Sequence, residues 1–245
     1  VDLYEKNYHN YNALDLAIGS NNKPAVELLL NKGNKWFSSD NEGINPYYVA
    51  SAFGRKELFQ LLEKKNIPGK PKRRFDELAT SVSIKLNTHD FYTGISLSGK
   101  EPLLNAGFTA GFDSKVWYTR VLMKAGEDIY FQYLDKSSIV YGGLFKDFTL
   151  MENLRGNKLF LTSSLMGAYT FGNKLKGTRM TPENKFRVIP SAGIKLQINH
   201  IQAFAGIEYM KSVFFKAGPI WLRTGVSYNF YMSKVRAPRK VIKWY

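Results

Sequence analysis

Histidine is the side chain best suited to moving protons near neutral pH, and this sequence holds three: His9, His89 and His200. No two of them stand at a metal-ligand spacing such as H-x-x-x-H. With no cysteine in the chain, thiolate metal sites, disulfides and a Cys nucleophile are excluded. Acid–base chemistry has one opening, because His89 and Asp90 are adjacent at the tip of a predicted hairpin, where a small lipid-modifying enzyme would keep a base beside an acid. Such an enzyme also needs a nucleophile held by the histidine, and neither H-x-S nor G-x-S-x-G occurs, so the pair reads as turn residues. Gly142-Gly143 and Gly107-x-x-x-Gly111 read as strand glycines rather than phosphate loops, since neither opens a helix. The sequence therefore predicts no enzyme, no catalytic residue, no cofactor and no metal.

Charge and apolar surface are what the chain offers instead. Thirty-five Lys and Arg against 20 Asp and Glu leave a formal charge of +15, which predicts attraction to anionic partners. Hydrophobic residues make up 44% and aromatics 15%, with 15 Tyr and 17 Phe, so there is ample surface to bury. No apolar run reaches the roughly 18 residues of a transmembrane helix. The opening VDLYEKNYHN has neither an initiator Met nor an apolar leader core, and the expectation is a processed chain or one that begins partway through a longer polypeptide.

Residues 12 to 66 repeat themselves. NALDLAIGSNNKPAVELLLNKG (12 to 33) aligns with NPYYVASAFGRKELFQLLEKKN (45 to 66) at an offset of 33, placing Leu16 on Val49, Ala17 on Ala50, Val26 on Phe59, Leu28 on Leu61 and Leu29 on Leu62. Each unit predicts a short helix with small Ala residues, a tight turn (Ser20-Asn21-Asn22 or Phe53-Gly54-Arg55) and a Leu-rich second helix; Glu42-Gly43 supplies turn chemistry before the second unit. Period and core positions resemble the ankyrin repeat. The family's T-P-L-H-x-A stands here as Asn12-Ala13-Leu14-Asp15-Leu16-Ala17 and Asn45-Pro46-Tyr47-Tyr48-Val49-Ala50, without the histidine. The resemblance implies a segment, residues 1 to 66, that binds proteins and does no chemistry; Trp36, Phe37 and Tyr47, aromatics at or near loops, read either as partner-binding anchors or as core. Stacked repeats need about three units for independent stability, so further repeats ahead of Val1, or a cap formed by residues 1 to 11 or another surface, are expected.

Residues 67 to 76 begin Ile67-Pro68-Gly69-Lys70-Pro71-Lys72-Arg73-Arg74. Two prolines, a glycine and four cations predict a basic linker, and Lys70, Lys72, Arg73 and Arg74 are candidate partner-binding residues. KPKRR also resembles a nucleic-acid patch; ahead of a membrane domain it would face lipid phosphates or an acidic partner.

From Glu77 the hydrophobic period becomes two. Predicted strands cover 78 to 87, 90 to 98, 103 to 124, 127 to 150, 158 to 172, 186 to 198, 201 to 211 and 219 to 231, with turns at Ser98 to Pro102 and Asn199-His200. Val188, Pro190, Ala192, Ile194, Leu196 and Ile198 share one face, opposite Arg187, Ser191, Gly193, Lys195 and Gln197. Ile201, Ala203, Ala205, Ile207 and Tyr209 likewise oppose Gln202, Gly206 and Glu208. Alternation suits a soluble sandwich or a membrane barrel. Aromatics at strand ends (Phe91, Tyr92, Phe171, Phe186, Tyr209, Tyr228, Phe230, Tyr231), the charges Arg187, Lys195, Glu208 and Arg223 opposite the apolar faces, and the long 172 to 184 connection favour the barrel. Pro190 inside a strand requires a bulge. The two longest strands either project as a hairpin or divide to give ten strands.

The last strand supports the same choice. Arg223-x-Gly225-x-x-Tyr228-x-Phe230 resembles the C-terminal β-signal of bacterial outer-membrane proteins, which implies recognition by the barrel assembly machinery, although Met232 to Tyr245 follow it. The expected architecture is multidomain: ankyrin repeats (1 to 66), linker (67 to 76), an all-β antiparallel eight-stranded transmembrane barrel (77 to 232) and a basic tail (233 to 245). Repeats and tail would be periplasmic and engage envelope proteins, the barrel would meet membrane lipid and lipopolysaccharide, and no nucleic acid would be bound. The expected role is an outer-membrane-anchored scaffold subunit. A small lipid-modifying enzyme, a narrow pore and, further off, a soluble nucleic-acid-binding protein are the alternatives.

Overall fold

The computed structural model describes residues 5, 11–32, 45–88, 90–124, 130–153, 157–171, 185–211 and 218–233. His9, Trp36, Phe37, His89 and the tail from residue 234 lie outside them.

The first described elements are short helices whose ends are set by the sequence at the same offset of 33. Asn12 caps α1 (Ala13–Gly19) by accepting from the Asp15 amide at 2.8 Å, and the Asp15 carboxylate accepts from the Asn12 amide in return. Asn45 caps α3 (Pro46–Ala52) in the same way through the Tyr48 amide, with Pro46 in the first turn where no donor is needed. Asn21 and Gly54 take positive φ (56° and 72°) at the two tight turns. The second arms are α2 (Lys23–Lys32) and a 3-10 turn (Lys56–Leu58) running into α4 (Phe59–Lys64). Leu14, Ile18, Val26, Val49, Ala50, Leu58 and Leu62 form one core, which Ile67 joins, so the linker starts one residue later than expected.

The strands are β1 (Glu77–Leu86), β2 (Phe91–Glu101), β3 (Ala106–Ser114), β4 (Thr119–Lys124), β5 (Tyr130–Asp135), β6 (Ser138–Glu152), β7 (Lys158–Phe171), β8 (Lys185–Ile198), β9 (Ile201–Tyr209) and β10 (Ile220–Tyr231). Eight close a barrel in the order β1-β10-β9-β8-β7-β6-β3-β2, and among the described residues β4 and β5 form a separate two-stranded sheet. Every neighbouring pair is antiparallel, and β10 closes on β1 from Glu77↔Tyr231 to Leu86↔Leu222.

The eight-stranded expectation holds, and two finer expectations are corrected by this topology. Both long strands do divide, but their outer halves leave the wall as the separate β4–β5 hairpin, so the barrel has eight strands and not ten. The turn placed at Ser98 to Pro102 falls later, because Ser98 to Glu101 continue the ladder against Thr109 to Ala106. Pro190 needs no bulge: it pairs with Leu165 of β7, while β9 joins β8 only from Ser191 onward, so its missing donor faces an unpaired edge. The irregularity in the wall is instead in β6, between Thr149 and Met151.

One rim of the barrel gathers the short connections 102 to 105, 153 to 157 and 199 to 200, together with the start of β1 and the end of β10. The opposite rim carries 87 to 90, 115 to 137, 172 to 184 and 210 to 219. The helices sit at the short-turn rim.

Candidate functional site

Polarity across the wall is inverted relative to a soluble protein. Along β10, Leu222, Val226, Tyr228 and Phe230 are exposed while Arg223, Ser227 and Asn229 are buried. Along β8, Val188, Ile194, Leu196 and Ile198 face out and Gln197 is buried. The outer surface continues through Val82, Ile95, Leu97, Leu144 (70% exposed), Leu165 and Ile207, a belt far larger than soluble monomers leave in water.

The lumen is filled in layers. Toward the long-loop rim, Tyr92, Ile139, Met166, Ile189 and Trp221 make a small apolar plug; the Trp221 indole donates to the Met210 carbonyl at 3.0 Å, and Lys115 pairs with Asp90 at 2.8 Å. Below it lies a balanced cluster. Lys85 Nζ is 3.0 Å from Asp113 and 2.7 Å from Glu208, and Arg223 is 3.3 Å and 3.1 Å from the same two carboxylates. The Arg223 guanidinium also donates to Ser83 at 3.0 Å and to the Tyr141 hydroxyl. Nearer the helices, Asp147 lies between Lys100 (3.0 Å) and Lys195 (2.9 Å), whose ammonium groups rest over the rings of Phe160 and Phe145. Between the two ionic layers, small side chains including Ser81, Ser96, Ser164, Ser191 and Ser227 leave a cavity of about 120 Å³.

Two cations facing two anions make each other tolerable in a dry interior, and every added hydrogen bond reduces the desolvation penalty. The expected grouping of Arg187, Lys195, Glu208 and Arg223 is thus only partly met. Glu208 and Arg223 pair, Lys195 belongs to the Asp147 layer, and Arg187 turns to the Lys211 carbonyl. Lys85, Lys100, Asp113 and Asp147 went unremarked in the sequence, although strand parity places each on the inward face.

Of the candidate acid–base residues, Asp90 and His200 are described. Asp90, the acid half of the His89-Asp90 pair, is buried against Lys115. His200 donates from Nδ1 to the Asn229 carbonyl (2.9 Å) and packs between Tyr228 and Tyr231 at the short-turn rim. Among the described residues no cluster of three His, Asp or Glu could hold a metal.

Of the partner-binding residues, Tyr47 is corrected. Its ring is 5% exposed and stacks on Phe59 at 5.9 Å, and burial with the Glu63 carboxylate nearby pushes its hydroxyl pKa up, so it is core rather than an anchor. Lys70, Lys72 and Arg73 are exposed; Arg74 lies 6.0 Å over the Tyr48 ring and 3.7 Å from Asp76. In the terminal motif Arg223 and Gly225 face the lumen and Tyr228 and Phe230 the outside. A Cβ on Gly225 would sit 2.3 Å from the Val82 carbonyl and 2.6 Å from the Phe204 ring. Among the expected rim aromatics Tyr92 and Tyr231 are exceptions, since their parity turns both to the lumen side: Tyr92 is edge-on to Trp221 and bonded to Ser137 at 2.7 Å, and the Tyr231 hydroxyl accepts from the buried Gln197 at 2.8 Å.

The helices are docked on the barrel, a relationship no local pattern announced. Arg55, 4% exposed, makes two 2.5 Å contacts with the Glu152 carboxylate at the end of β6 and also donates to the Gly19 carbonyl. Gly54 packs so tightly on the β2–β3 turn that a Cβ would lie 2.6 Å from the Pro102 carbonyl. The Lys72 amide donates to Ser51, and the Ser233 hydroxyl to Tyr48. Residues 68 to 75 therefore run along the helices instead of forming an open hinge.

No family model and no characterised protein sequence matches the chain. Among solved structures it is similar to the N-terminal β-barrel domain of Pseudomonas aeruginosa OprF, with 9% identity over 65% of this chain and 100% of that one and a TM-score of 0.38. It is also similar to Ail, the attachment invasion locus protein of Yersinia pestis, solved in complex with the heparin analogue sucrose octasulfate, with 13% identity over 63% of this chain and 96% of that one and a TM-score of 0.29.

Proposed function

We propose that this chain is a bacterial outer-membrane barrel that holds ankyrin-type repeats on the periplasmic side, where they engage a protein partner as part of an envelope complex. The observation that carries the reading is the inverted wall: an apolar belt outside, ion pairs inside. Hydrocarbon is the solvent that such an exterior suits, and closed barrels satisfy every backbone group there. Strands β1, β2, β3 and β9, of 10, 11, 9 and 9 residues, have the length a tilted strand needs to cross the bilayer.

Orientation follows from the connections, short on the periplasmic side and long outside. The helices share the short-turn rim, which supports a periplasmic position for them. Their ankyrin character rests on the 33-residue period and on the repetition of cap, turn and core described above. Function is then positioning: a docked module raises the effective concentration of its partner at the membrane without turnover. The layered lumen supports anchoring over conduction, and the absence of a nucleophile motif supports binding over catalysis.

Two measurements test this. Cell fractionation with boiled and unboiled samples compared on detergent gels should place the chain in the outer-membrane fraction with heat-modifiable mobility. Purification from a detergent extract should recover a stoichiometric companion; the barrel alone, under mild conditions, would overturn the scaffold role.

A further inference from the structure

We propose that Lys70, Lys72 and Arg73, set beside Phe75 at the foot of β1, form a binding surface for anionic phospholipid headgroups. The proposal rests on the membrane-spanning reading above and adds a ligand class to it. Phe75 is 55% exposed, and its ring packs at 5.5 Å on Phe108, a residue of β3 that points away from the lumen and lies over Gly99. Phe75 is therefore on the outside of the wall at the short-turn rim, the height at which aromatic rings mark the boundary between hydrocarbon and headgroups. The residues just before it lead from that height along the helices.

The segment is held in place at both ends. Ile67 is buried in the helical core, the Lys72 amide is bonded to Ser51 at 3.1 Å, and the Asp76 carbonyl accepts from the Met232 amide at 2.7 Å. Arg74 is committed to Tyr48 and Asp76. Lys70, Lys72 and Arg73 are left exposed on this fixed backbone, so little ordering entropy opposes a ligand. Lysine and arginine side chains suit phosphate oxygens, as point charges and as a planar fork respectively. An acidic protein is the competing ligand, but the height set by Phe75 favours the membrane surface.

The test is native mass spectrometry of the full chain from mixed micelles containing phosphatidylglycerol and phosphatidylcholine, with heat-modifiability checked on the same preparations. Wild type should retain phosphatidylglycerol selectively. The variant Lys70→Gln/Lys72→Gln/Arg73→Gln should lose at least about fivefold of that preference while keeping its gel shift. Equal preference in both folded proteins would overturn the proposal, as would charge-dependent capture of an acidic protein without lipid selectivity. If the triple variant does not fold, raising salt on the wild type replaces it: selectivity that falls with salt supports the site, and selectivity that ignores salt overturns it. Loss of heat-modifiability in wild type itself would count against the membrane reading, which separates the two failures.

Discussion

Arg223 of β10 reaches Glu208 of β9 inside the barrel, 3.1 Å from Nη1 to Oε1, with both side chains nearly sealed from solvent. Since Asp113 and Lys85 complete the cluster, removing one cation leaves a buried carboxylate uncompensated. Arg223→Met is predicted to destabilise the barrel by about 3–5 kcal/mol, read as a lower urea midpoint by tryptophan fluorescence in detergent. A loss below about 1 kcal/mol, the range of exposed pairs, would mean the cluster is hydrated.

The contact of Arg55 with Glu152 makes a prediction about the helices alone. Arg55→Ala should release them from the rim, so that proteolysis near residues 53 to 75 speeds up while the barrel keeps its gel shift. A double-mutant cycle with Glu152→Ala should give a coupling of about 0.5–3 kcal/mol. Additive effects would show that the docking is carried by other contacts, such as Gly54 on Pro102.

At Gly225 the terminal motif and the packing make one joint prediction. A side chain there collides with the Val82 carbonyl and the Phe204 ring. Gly225→Val should cost about 1–3 kcal/mol of overpacking and reduce the folded fraction recovered from membranes. Tyr228→Ala, on the outer face, removes no lumen contact, so a matching assembly defect in it would be traced to recognition of the strand.

How much of this was legible in the sequence depends on the range of the signal. Strand existence, parity and the closing strand were readable because a two-residue period is local: Val226 and Tyr228 outside with Arg223 inside is already written in RTGVSYNFY. The helix caps at Asn12 and Asn45 and the turns at Asn21 and Gly54 stand at the offset of 33 seen in the sequence, while the ankyrin character of these units belongs to the proposal. Partners across the lumen were not, because Arg223 meets Asp113, 110 residues away, through barrel closure. Tyr47 was misread because a tyrosine beside a turn carries no local mark of burial. Pro190 was misread because the end of β9 decides whether its missing donor matters. The Arg55 contact with Glu152 joins two modules, and neither segment's pattern refers to the other.

The outer belt gives the sharpest contrast between solvents. Leu144 lies mid-strand, opposite Leu165, and is 70% exposed. Leu144→Arg should cost about 2–4 kcal/mol in lipid, whereas an exposed position in water would change by about 0.5 kcal/mol or less.

The absence of native cysteine allows a still more direct measurement. A single spin label at Leu144→Cys, with the protein reconstituted in phospholipid vesicles, reports collisions with oxygen, which concentrates in hydrocarbon, and with a water-soluble nickel chelate. High oxygen and low nickel accessibility is the predicted result. Nickel accessibility equal to that of a label on an aqueous loop would place this face in water and contradict the membrane-anchored account.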